Sequence, residues 1–150
     1  MSADVKVQPL PEDRKWSAGS IRIWSQTVGA SEISARLGIT ADGQFERGSL
    51  MSPRNLAGAR RESSLWIQHS GLAKDSDLAD HVRALVGLVD GCREELAGLS
   101  VDCEMDLFLG FGSENGQGGC VLPADLLADV AALGLDIVLD LYPPATVEDC

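Results

Sequence analysis

Two segments in the C-terminal half alternate with a period of two. In VDCEMDLFLGF (101–111), Val101, Cys103, Met105, Leu107, Leu109 and Phe111 fall on one side, and Asp102, Glu104 and Asp106 on the other. In LDIVLDLY (135–142), Leu135, Ile137, Leu139 and Leu141 oppose Asp136 and Asp140. Successive side chains of a strand point to opposite faces, so both segments call for a sheet covered on one face and open on the other.

Further strands are expected at SIRIWSQ (20–26) and SLWIQHS (64–70), with a weaker one at GQFERG (43–48). SEISARLG (31–38) reads as a short helix closed by Gly38. A long helix should start near Ser76 or Asp77, where either side chain suits the free N–H groups. Its stripe runs Leu78, Val82, Leu85, Val89, Cys92, Leu96 and Leu99, and Gly87 and Gly91 each weaken it by about 1 kcal/mol relative to alanine. LPADLLADVAALG (122–134) reads as a third helix, with Pro123 at its start and Gly134 at its end. The expected architecture is α+β: a single mixed sheet of five to six strands with three helices on one face, ferredoxin-like elements in the order βαββαββαβ. Residues 1–19 and 143–150 read as tails around one domain at 20–142.

Charge divides the chain. Residues 1–75 hold ten basic and eight acidic side chains, net +2, whereas residues 76–150 hold two basic and fifteen acidic, net −13. An acidic half of that size repels nucleic acid and anionic membrane surfaces and steers a basic protein toward itself. No apolar run has the length of a membrane span or a signal peptide, so the sequence is expected to be cytoplasmic. Cys92, Cys103, Cys120 and Cys150 lie too far apart for a zinc site, and Cys92 and Cys103 fall at apolar positions of a helix and a strand.

GFGSENGQGGC (110–120) has five glycines but no lysine or arginine, and it matches no phosphate-binding pattern. Asn115-Gly116 suits a tight hairpin turn, which would fold the strand at 101–112 back onto a short strand at 118–122. The SLWIQHS strand, followed by a helix and then ENGQGGCVLPADLLADVAALGLDIVLDLY, resembles the bacterial family catalogued as domain of unknown function 4279. The likeness runs over about residues 20–142, with Cys120 standing where members often carry an aromatic residue. It implies a domain unit and no mechanism.

With the apolar side of every strand turned to the helices, the open face should collect Arg22, Trp24, Trp66, Gln68, Asp102, Glu104, Asp106, Asp136 and Asp140. Aromatic anchors among carboxylates make a protein-docking surface. The leading expectation is a non-catalytic interaction module, immunity- or inhibitor-like, with a basic protein as partner. The alternative is a small-molecule or cation-binding, enzyme-like domain using the loop 48–63, whose Arg54, Arg60 and Arg61 would hold an anionic group, together with the acidic strand face. A third reading is a homodimer. No metal, cofactor or catalytic motif stands out, and His69 and His81 both read as surface residues.

Overall fold

The computed structural model describes residues 15–114, 116 and 118–142. The strands are β1 (Lys15–Ser25), β2 (Gly43–Phe45), β3 (Ser64–His69), β4 (Glu104–Ser113) and β5 (Asp136–Tyr142). The helices are α1 (Ala30–Leu37), α2 (Leu78–Val89), α3 (Arg93–Leu99) and α4 (Ala124–Ala132). A single 3-10 turn, Asp90–Cys92, joins α2 to α3, so the helices form three segments. The fold is α+β, built on one mixed sheet in the order β2-β3-β1-β4-β5. Among the described strands only β4 and β5 run parallel, and α4 is the connection between them.

Local chemistry explains most element ends. Gly38, at φ 69°, closes α1 with its N–H on the Ser34 carbonyl, and Gly134 takes φ 75° after α4; glycine enters this left-handed region without strain. The start of α1 is capped from a distance: the Glu46 carboxylate accepts from the backbone N–H groups of Ala30 at 3.2 Å and Ser31 at 2.9 Å, which suits a negative charge at a helix N-terminus. The expected unbroken helix through residue 99 is interrupted beside Gly91, where the backbone of Val89 and of Cys92 opens to φ −113° and −115°. The break lets Leu96 and Leu99 reach full burial in the same core as Val82, Leu85 and Val89.

That core joins the helices to Ile21 and Ile23 of β1, Trp66 of β3, and Met105, Leu107 and Leu109 of β4. The register places these strand residues on one side, since Ile23 pairs with both Trp66 and Met105, and Ile21 with Leu107. Gly19 brings α2 close to β1: a Cβ there would lie 3.1 Å from His81 Cβ and 3.2 Å from Leu85 Cδ1.

Several expectations are corrected. β1 begins at Lys15, so residues 15–19 are strand rather than tail. Residues 118–122 form no strand, because β1 and β5 already occupy both edges of β4. Gly116 does turn at φ 74°, whereas Asn115, Gln117 and the segments 1–14 and 143–150 lie outside the described residues. His81 is buried at 1% exposure rather than on the surface, with Nδ1 2.6 Å from Ser70 Oγ. The buried face of α2 is wide enough to include it beside Leu78 and Val82.

Candidate functional site

The side of the sheet opposite the core carries Trp16, Ala18, Ser20, Arg22 and Trp24 from β1, every second residue of that strand. Pairing then fixes their neighbours. Trp24 faces Leu65 and Glu104, Arg22 faces Ile67 and Asp106, and Ser20 faces His69 and Phe108. β5 adds Asp136 beside Asp106 and Asp140 beside Gly110.

Trp66 and Gln68 are therefore not on this face. Trp66 pairs with Ile23 and is wholly buried, with its indole N–H donating to Ser34 Oγ of α1 at 2.9 Å. Gln68 pairs with Ile21 and shares that inward side. Leu65 and Ile67 take the outward positions instead, half-buried. A buried tryptophan needs a partner for its N–H, and Ser34 supplies one on the helix side. Asp102 is also displaced: it sits in the turn before β4 rather than in the strand, and lines a hollow with Trp24 and Glu104.

Of the acidic row, Asp106 is already paired. Its carboxylate receives Arg22 Nε at 2.9 Å and Nη2 at 2.7 Å, a two-pronged bond that leaves the Asp106 side chain 4% exposed. The Arg22 guanidinium also lies over Phe108 at 4.1 Å and over Trp24 at 5.3 Å from the ring centroids. The hydrogen bond to Asp106 pushes the Arg22 pKa up, against the opposing effect of partial burial. Glu104, Asp136 and Asp140 remain at the surface or half-buried, so the net character of the face is acidic.

Between these groups runs a groove of about 410 Å³. Ala18 and Gly110 form its floor, Ile67 and His69 one side, and Trp16, Phe108 and Tyr142 the aromatic side. The groove exists because β4 carries glycines there. A Cβ on Gly110 would come within 3.2 Å of Trp16 Cζ3, and one on Gly112 within 2.6 Å of Trp16 Nε1. Trp16 thus lies against the β4 backbone, 4.9 Å from the Tyr142 ring at a tilt of 56°. Tyr142 donates to Asp140 at 2.6 Å, and that bond, with the carboxylate charge, raises the phenol pKa. Ser20 Oγ and His69 Nδ1 stand 2.7 Å apart in the wall.

Trp16 is hidden when residues 1–19 are taken as tail, and Ser20 and His69, near the ends of two expected strands, give no sign in the sequence that they meet across the sheet. The alternation Trp16, Ala18, Ser20 continues the period of Arg22 and Trp24 and was the available signal.

The loop 48–63 closes on itself. Leu50 and Arg60 form a bridge, and Gly48 N–H and Arg61 N–H bond to the Arg61 and Ser49 carbonyls at 2.8 Å each. Arg60 donates to the Gly48 carbonyl at 2.8 Å, and Arg61 stacks on Phe45 at 3.9 Å. Two of the three loop arginines are thereby engaged within the loop and its neighbouring strand, while Arg54 is exposed at the tip. Met51, Arg60 and Arg61 border a second hollow of about 440 Å³ beside Trp24, which stays half-buried between loop and sheet.

No helix among the described residues is long and apolar enough to cross a membrane, and no cluster of three potential metal ligands occurs among them. A family model described as Domain of unknown function (DUF4279) matches residues 14–144. The chain belongs to that family. The match starts just before β1 and reaches just past β5, so the DUF4279 unit includes Trp16 and Tyr142, which meet at one end of the groove's aromatic side with Phe108 at the other. No curated protein and no solved structure matches the chain.

Proposed function

We propose that this DUF4279 chain is a non-catalytic binding module that docks a protein partner, a basic one, on the sheet face its helices leave free, in the manner of immunity or inhibitor proteins. The observation that carries this reading is the groove: a small-residue floor flanked by Trp16, Phe108 and Tyr142, with Asp140 in its wall. A knob from the partner fills the groove. Aromatic walls supply contact area at low entropic cost, and Asp136, Asp140 and Glu104 attract cationic side chains around it.

The test captures the partner on immobilised chain, purifies it and titrates it against variants. Ser20→Trp fills the groove and should weaken binding at least about tenfold, a loss of about 1.4 kcal/mol. Asp136→Asn with Asp140→Asn should slow association and flatten its salt dependence. Unchanged affinity in both variants would sink the reading.

One observation favours a different occupant. Ser20 and His69 place a hydroxyl beside an imidazole inside the groove, the residue types of a nucleophile and its base. Under that reading a small ligand raises the melting temperature, and Ser20→Ala abolishes turnover without altering partner capture.

A further inference from the structure

The sheet ends at β5, whose outer edge has no strand beside it among the described residues. Such an edge offers a row of backbone donors and acceptors to another strand. The other edge, β2, is only three residues long, whereas β5 runs for seven without lysine, proline or a break in its pairing to β4. On the core side of the sheet β5 also leaves leucines uncovered: Leu139 is 53% exposed and Leu141 64%.

We propose that β5 pairs antiparallel with β5 of a second copy, about a two-fold axis at Leu139, joining two sheets into one of ten strands. The sequence of the strand selects this partner and this register. With Leu139 opposite its own copy, Ile137 meets Leu141, Val138 meets Asp140, and Asp136 meets Tyr142. The apolar row then stays continuous on one side, and no carboxylate stands directly opposite another. Centring on Val138 would set Asp136 against Asp140, and centring on Asp140 would set that residue against itself; like charges in directly opposite positions destabilise a pair.

Each copy carries a formal charge of −11, so the association strengthens with salt, the reverse of docking a basic protein. The groove shares Asp140 and Tyr142 with β5, but a substitution at Ser20, on β1 and two strands away from the edge, alters the groove without touching the edge.

Sedimentation velocity on the full chain, across about a hundredfold range of concentration at low and high salt, tests the proposal. The expected result is a dimer that tightens with salt. Leu139→Lys, at an exposed position, should weaken it at least about tenfold while leaving unchanged the circular dichroism and the melting temperature measured at concentrations where both chains are monomeric; Ser20→Trp should leave it intact. In a Cys120→Ser, Cys150→Ser background, Leu139→Cys should crosslink between copies on mild oxidation. Directly opposite Cβ atoms lie about 4.5–5.5 Å apart, whereas Val138→Cys would be diagonal to its copy at about 7–8 Å and should stay reduced. A monomer at every concentration, a dimer unaffected by Leu139→Lys, or equal crosslinking at 138 and 139 would overturn it.

Discussion

Arg22 and Asp106 form a cross-strand ion pair held by two hydrogen bonds, 2.9 and 2.7 Å, with the carboxylate almost wholly enclosed and the guanidinium between Trp24 and Phe108. Removing one partner leaves a buried charge uncompensated, which costs more than the pair itself contributes. Arg22→Leu should therefore lower stability by about 3 kcal/mol, and Arg22→Leu with Asp106→Leu should recover most of that loss. Urea titration of the single and double variants checks the coupling; a loss below about 0.5 kcal/mol in Arg22→Leu would mean that Asp106 is solvated.

Trp66 is a core residue, and its replacement should read as stability rather than binding. Trp66→Ala should cost about 3–5 kcal/mol, and Ser34→Ala about 1–2 kcal/mol by leaving the indole N–H without its partner. Thermal denaturation measures both. Partner affinity at equal folded fraction should be unchanged.

The groove depends on glycine at 112. Gly112→Ala would set its Cβ against the Trp16 ring and should turn the indole out toward water, at a cost of about 1–3 kcal/mol. The readout is a red shift of Trp16 emission in a Trp24→Phe background, which still holds buried Trp66 as an internal reference. An unshifted spectrum would show that Trp16 does not rest on β4.

Burial pushes the Cys103 and Cys92 thiols up from the ordinary thiol value. A folded-state pKa above the unfolded one means that the folded form holds its thiol proton more tightly. The resulting stability is fully present below about pH 8.5 and is lost as pH climbs through the folded values. Stability should therefore fall with rising pH above that point, and replacing Cys103 by Ala should flatten the fall. Among the described cysteines, alkylation at neutral pH should modify exposed Cys120 first, half-buried Cys92 next and buried Cys103 last.

Much of this protein was written in local pattern. The alternation in β4 and β5, the apolar stripe of α2, the glycines ending α1 and α4, and the acidic C-terminal half follow from periods and residue chemistry acting within a few positions. Those same periods could not orient β3, because Leu65 and Ile67 on one side and Trp66 on the other are all apolar. Only pairing with Ile23, and the Ser34 hydroxyl waiting on α1, turned Trp66 inward. Likewise Trp16 reached the groove because β4 presents glycines two strand positions apart, and Asp106 left the solvent because Arg22 stands opposite it. Such choices belong to residues distant in sequence that meet only when the sheet assembles, so tertiary packing alone could make them.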